Sequence, residues 1–232
     1  MRRQWLGSVT LLLAAAVAAA QAPSLPVPGV GPAAGGTTST DYPLLLAMPA
    51  VQREIGLTPA QFQSARDLRK DLSRRESEAG RAIDKNLKGK ERGEKRLEIR
   101  EKYQKEYHDG LAKILKPAQL ARLGQVRLQA DAPGSFAWPA VADKLKPTAA
   151  QKKQLEKIVR DLNADRLNLT VKETPEANAD PARMRALQDK LRGLTQKAAE
   201  ESLTVFNAGQ RKAWQDLTGP LFDTSKLGVT RE

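Results

Sequence analysis

The strongest constraint on this chain is a helix-start signal that occurs four times at near-constant spacing. The best copy is Leu57-Thr58-Pro59-Ala60-Gln61. Thr58 suits the N-cap, where its hydroxyl accepts from an otherwise unpartnered backbone N–H. Pro59 falls at the first helical position, where a missing N–H costs nothing. Gln61 is three residues past the cap and can reach back to the cap's own N–H, forming a capping box, while Leu57 and Phe62 are spaced as a hydrophobic staple. Leu115-Lys116-Pro117-Ala118-Gln119-Leu120 has the same shape with Lys in place of Thr. Pro147-Thr148-Ala149-Ala150-Gln151 keeps the Thr and the Gln, and Phe206-Asn207-Ala208-Gly209-Gln210 supplies Asn as the cap. Gln61 and Gln119 are 58 residues apart, Gln151 and Gln210 are 59 apart, and Ala50–Gln61 aligns without gaps on Ala140–Gln151 at an offset of 90. A pattern this regular predicts two copies of one helical unit, over residues 41–130 and 131–220.

Between the starts the apolar residues keep a helical period. Ala65, Leu68, Leu72, Ala79, Ile83 and Leu87 predict a first long helix from Pro59 to about Asn86. The two glycines of residues 87–93 mark a turn, and Ile99, Tyr103, Tyr107, Leu111, Ile114 and Leu115 a return helix from about Glu94 to Leu115. A short apolar helix over residues 42–55, interrupted at Pro49, precedes this hairpin, and one ending at Gln129 follows it. In the second unit Leu155, Ile158, Val159, Leu162 and Leu169 form the outgoing stripe. Residues 172–180 read as a polar loop ending in the cap pair Asp180-Pro181. Met184, Leu187, Leu191, Leu194, Ala198 and Val205 line the return arm, and residues 221–232 read as a frayed tail. The expected fold is all-α: long antiparallel hairpins in two tandem units with short flanking helices.

Residues 1–20 have the order of a secretory signal peptide: Arg2 and Arg3, then apolar Leu6–Val17, then the small residues Ala18-Ala19-Ala20. The apolar run is shorter than the roughly 20 residues of a spanning helix. Pro, Gly, Ala, Ser and Thr without charge make residues 21–40 a flexible tether. The expected location is the periplasm or another extracytoplasmic space, which argues against nucleic acid as a partner. Removing residues 1–20 takes away two arginines and no acid, so the net charge of +12 becomes +10. The bias sits in the first unit, where 20 Lys/Arg face 13 Asp/Glu, against 15 and 12 in the second. The absence of cysteine excludes disulfides, thiol nucleophiles and Cys-based metal sites.

A Leu-Thr-x-x-Gln motif that returns about 60 residues later, at the end of a charged hairpin and behind a signal peptide, resembles the LTxxQ family of periplasmic proteins, the Spy- and CpxP-like proteins. Leu57, Thr58 and Gln61 match the motif in full, whereas Lys116, Pro147 and Phe206-Asn207 depart from it. The resemblance covers residues 50–129 and, more weakly, 140–218. It implies small helical proteins that dimerise into a curved cradle and hold unfolded clients on a basic, partly apolar face, or regulate an envelope sensor. The tandem units would let one chain supply both halves of such a cradle, as a monomer with a pseudo-twofold repeat; a homodimer is the other option.

Leu57, Thr58, Gln61, Gln119, Thr148, Gln151 and Gln210 are read as helix-capping residues. Residues 84–102, with eight Lys/Arg and five Asp/Glu, offer a basic, adaptable tip. Lys85, Leu87, Lys88, Leu97 and Ile99 are therefore client-binding candidates, extended along the first arm by Arg74, Arg75 and Arg81. Tyr103, Tyr107, Trp138 and Trp214 are read as core or inter-unit contacts. One histidine, His108, with Met48 and Met184, makes a poor metal site, and His108 is read as a solvated helix residue. Pairs such as Glu98 with Glu101 or Glu200 with Glu201 sit among lysines on solvated faces, and no phosphate loop or nucleophile motif is present. No catalytic residue, metal or cofactor is expected. Unfolded or acidic protein clients are the expected partners; an envelope sensor protein or an anionic envelope polymer or lipid are the alternatives.

Overall fold

The computed structural model describes residues 41–177, 180–224 and 227, without the side chains of 84–86 and 175–177. The signal-peptide and tether readings of residues 1–40 lie outside the described residues, as does the Lys85 side chain.

The described chain is all-α, with no strand. Two short helices, α1 (Tyr42–Leu46) and α2 (Pro49–Glu54), lead into α3 (Pro59–Asn86) and α4 (Gly89–Ile114). Then come α5 (Pro117–Ala130), a 3-10 turn (Gly134–Ala137), α6 (Pro139–Leu145), α7 (Ala149–Ala177), α8 (Pro181–Val205) and α9 (Ala208–Thr218). The long helices pack in sequence pairs, α3 on α4 and α7 on α8. At 1.5 Å per residue the longest arms reach roughly 42–44 Å.

The starts form as their residues dictate. Thr58 Oγ1 accepts from Gln61 N at 3.2 Å, and Gln61 Oε1 accepts from Thr58 N at 3.1 Å. Thr148–Gln151 and Asn207–Gln210 make the same two bonds. Lys116 keeps one half only: its N–H donates to Gln119 Oε1 at 2.9 Å, but an ammonium has no lone pair with which to accept.

Positions 90 or 91 apart are buried alike: Leu46 and Phe136, Val51 and Val141, Ile55 and Leu145, Leu72 and Leu162, Leu115 and Phe206, Leu123 and Trp214. The first core gathers these residues of α1–α5 with Tyr103, Tyr107 and Leu111. The second centres on Phe136, whose ring lies 5.1 Å from Phe206 and 4.6 Å from Trp214. Between the halves α5 packs on α9, and Arg122 joins them: its guanidinium meets Glu54 at 2.6 Å and donates to Thr218 O at 3.3 Å. Arg127 lies over both the Tyr42 ring, at 4.8 Å, and the Trp138 ring, at 4.7 Å.

Four expectations change. The turn at 87–93 shrinks to Leu87-Lys88, because two extended residues suffice to reverse the chain once Leu87 N–H caps Ile83 O. Gly89, at φ +57, starts α4, and Gly93 is helical. The polar loop at 172–180 is mostly helix: α7 continues to Ala177, held by the Lys190–Glu173 ion pair at 2.7 Å from α8, so a polar stretch stays helical where its partner arm binds it. The tail is not frayed at Phe222, which is buried in the first core while its N–H donates to Gln129 Oε1 at 2.7 Å; a large aromatic ring outweighs the entropy of ordering one strap of chain. His108 is not fully solvated either: its ring sits 5.7 Å from Tyr42 of α1, which packs on α3 and α5.

Candidate functional site

Two features draw in the singled-out residues. The first lies at the base of each hairpin. Gln61 Nε2 donates to Ile114 O at 3.0 Å and to Gln119 Oε1 at 2.8 Å. Gln119 Nε2 returns a bond to Gln61 Oε1 at 3.2 Å and donates to Gly56 O at 2.8 Å. In the second half Gln151 Nε2 bonds Val205 O and Gln210 Oε1, and Gln210 Nε2 bonds Leu145 O and Gln151 Oε1. The four glutamines are therefore caps and also clasps, each pair tying the end of the return arm to the start of the outgoing one. The sequence spacing carried that pairing, but capping alone does not require it. Leu57 packs against the first core beside this clasp.

The second feature is an open groove of about 810 Å³ along one face of α3, with α1 and Tyr107 at one end. Its floor there is apolar: Pro43, Leu46, Ala47, Phe62, Ala65 and Tyr107. Along it stand Arg66, Arg69, Lys70, Arg74 and Arg81, with Ser73 and Ser77 between them and Asp67 and Glu78 as the acids. The helical period explains the placement. Ala65, Leu68 and Leu72 turn toward the core or its edge, so positions 66, 69–70, 73–74, 77 and 81 share an outer face. Phe62 and Tyr107 present ring surface, and Arg66 lies 5.7 Å over Phe62. Burial pushes the Tyr107 hydroxyl up to about 12, against the opposing pull of the Arg69 charge, so it stays protonated at neutral pH. Arg74 is held by Asp71 at 2.7 Å and Glu78 at 3.1 Å, contacts that raise its already high pKa. Arg66, Arg69 and Lys70 enter no ion pair among the described residues.

The tip candidates divide between these surroundings. Arg74 and Arg81 line the groove. Arg75 turns the other way, pairing with Glu106 of α4 at 3.0 Å and lying 5.4 Å over the Tyr103 ring, so it stitches the two arms. Lys88 is exposed at the reversal, Leu87 and Leu97 are half-buried, and Ile99 packs against the first core. Charge density at the tip does not single out Arg66, Arg69 and Lys70, and Phe62 stands out in the sequence only as half of a hydrophobic staple. The signal that finds them is the face left outside by the Ala65–Leu68–Leu72 stripe, rather than the density of charge at the tip.

Chemically the groove can hold anions and apolar side chains together. Among the described residues no cluster of three or more His, Asp or Glu side chains is placed to hold a metal ion, and no helix is long and apolar enough to cross a membrane. No protein-family model, curated protein or solved structure matches the chain.

Proposed function

We propose that the chain is an exported client-binding protein of the Spy-like kind, working without ATP and without catalysis. On this reading residues 41–130 and 131–220 are two copies of one hairpin unit, and residues 1–20 direct the chain out of the cytoplasm. The observation that carries the function is the α3 groove: cations free of ion pairs stand beside an apolar, aromatic floor on a solvent-facing helix. A protein that needed α3 only as a strut would gain by pairing Arg66, Arg69 and Lys70 with acids at helical spacing. Left open, they attract acidic stretches of an unfolded chain over a Debye length of about 8–10 Å. The apolar floor then supplies a short-range contact that salt does not screen.

The test is aggregation of a chemically denatured client diluted into low salt with a few-fold excess of residues 21–232. Suppression is expected, and it weakens when Arg66, Lys70 and Arg81 are all changed to Glu. Failure to slow aggregation at low salt overturns the reading. A single saturable partner without general suppression would point instead to a regulator of an envelope sensor.

A further inference from the structure

The α3–α4 and α7–α8 hairpins bury matching positions, Leu72 and Leu162 at an offset of 90 and Tyr107 and Ala198 at 91. The seams where their arms meet can therefore be compared position by position. In the first hairpin the Tyr103 ring fills the seam and is buried. Arg75 of α3 lies 5.4 Å over that ring, Lys102 of α4 lies 5.6 Å over it, and Glu106 holds Arg75 at 3.0 Å. In the second hairpin Leu194 stands in place of Tyr103, Asp165 of Arg75, Gly193 of Lys102 and Lys197 of Glu106. The ring and both side chains that cover it are gone. What remains is an open cleft of about 590 Å³ between α7 and α8, and all four substituted residues line it. A Cβ built on Gly193 would meet nothing within 4 Å, so the space above its backbone is open.

We propose that this cleft is a binding site for a small aromatic anion, one or two rings carrying a carboxylate or sulfonate. The first hairpin shows what the seam is shaped to hold, a flat ring between two arms. In the second the ring comes from outside. It lies on the half-buried Leu169 and Leu194, and the bare backbone of Gly193 lets it approach closely. The rim sets the charge. Asp165 and Lys197 stand at the positions of the Arg75–Glu106 pair with their signs exchanged, so charges balance at that end. At the other end Lys172 and Lys190 line the cleft, and Glu173 holds Lys190 at 2.7 Å. Lys172 enters no ion pair among the described residues, and it is the group that receives the anion. An exposed lysine adds little affinity by itself, so the ring supplies most of the binding and Lys172 the preference for an anion. The site shares no residue with the α3 groove, so it stands or falls apart from client binding.

The test titrates residues 21–232 with anilinonaphthalene sulfonate, an aromatic anion, and with phenylnaphthylamine, its neutral parent, following fluorescence. The anion is expected to saturate a site with a Kd on the order of 10–100 μM, as a ligand of that size in a shallow cleft should. Gly193→Gln lays a long neutral side chain over the seam and should weaken both probes at least about tenfold. The change replaces a helical glycine that faces open space, so the helix is strengthened and lost binding is not lost fold. A second variant combines Asp165→Arg, Gly193→Lys, Leu194→Tyr and Lys197→Glu, which writes the first seam into the second. It should melt no lower than the wild type and lose the site. Lys172→Glu should weaken the anion about threefold to tenfold and leave the neutral probe unchanged. Changing Arg66, Lys70 and Arg81 to Glu should leave the anion's affinity for this site as it was. The inference is overturned if the anion shows no saturable binding below about 1 mM. It is overturned equally if Gly193→Gln binds as the wild type does, or if Lys172→Glu affects both probes alike.

Discussion

Replacing Gln61 by Ala tests the glutamine clasp at its centre. The change removes bonds to Ile114 O, to both amide atoms of Gln119 and to Thr58 N. A typical hydrogen bond is worth about 0.5–1.5 kcal/mol net. Thr58 N is exposed and water replaces its partner, so the cost falls on the half-buried Ile114 O and Gln119. We expect about 2 kcal/mol, read as a fall in melting point of roughly 4–8 °C for a chain of this size. Gln119→Ala alone should cost a similar amount, and the double variant less than the sum, because the reciprocal pair is lost only once. The coupling should be about 1–2 kcal/mol. Gln61→Glu is the sharper probe. A carboxylate still accepts from Thr58 N, so the capping box survives, but it cannot donate to Ile114 O or Gln119 Oε1. If the glutamines are caps only, Gln61→Glu is neutral and the double variant is additive to within about 0.5 kcal/mol, and the clasp is refuted. Gln151 with Gln210 repeats the geometry and supplies an independent second cycle.

Three further outcomes follow from the packing. Burial, opposed by Asp109, lowers the pKa of His108 in the fold from its ordinary value near 6.5. The unfolded chain therefore takes up this proton first, so stability is full above about pH 6.5 and falls as pH drops toward the folded value; His108→Gln should flatten that part of the acid limb in urea midpoints taken across it. Gly219 sits at φ +63, and a Cβ there would meet the Gln125 side chain at 2.6–2.8 Å, so Gly219→Ala should cost about 1–3 kcal/mol in a thermal melt. Phe222→Ala should cost about 3 kcal/mol and make the chain after Thr218 the first site of limited proteolysis.

Much of the architecture is legible in the residues because it depends on local chemistry. Thr58, Pro59 and Gln61 specify a helix start without reference to anything distant. The arm stripes specify inward faces by period alone. What is not legible depends on distant partners. Lys172–Ala177 looks like loop until Lys190 of the opposite arm is known to hold Glu173. Phe222 looks like tail until the first core is seen to have room for it. Gln61 looks complete as a cap, because nothing local says that its free N–H₂ faces a second glutamine 58 residues away. The groove was half legible: Arg74 and Arg81 were found through charge density. Arg66, Arg69 and Lys70 needed the inward stripe to be fixed first, since their common face is defined by what it is not.

The positions 90 or 91 apart differ in where the bulk lies. Tyr107 and Leu111 on the first return arm stand where Ala198 and Ser202 stand on the second. Leu46, Leu115 and Leu123 at the first base stand where Phe136, Phe206 and Trp214 stand at the second. Bulk thus sits on the arm in the first half and at the base in the second. Tyr107 joins Pro43 and Leu46 of α1, and Ala47 just after it, in lining one end of the α3 groove. In the second half Leu155 joins the base core of Phe136, Phe206 and Trp214, while Ala198 packs with Ile158 and Leu162 in a separate cluster. The two halves then differ in their outer residues, with charge beside a groove on α3 and the exposed Leu167 and Val171 on α7. Ile158→Ala with Ala198→Tyr, two positions of one cluster, should therefore compensate in part and leave the hairpin folded. Each change alone should cost about 2–3 kcal/mol, through a cavity for the first and overpacking for the second. A double variant that melts no higher than the worse single one would show that these two side chains do not share one packed space.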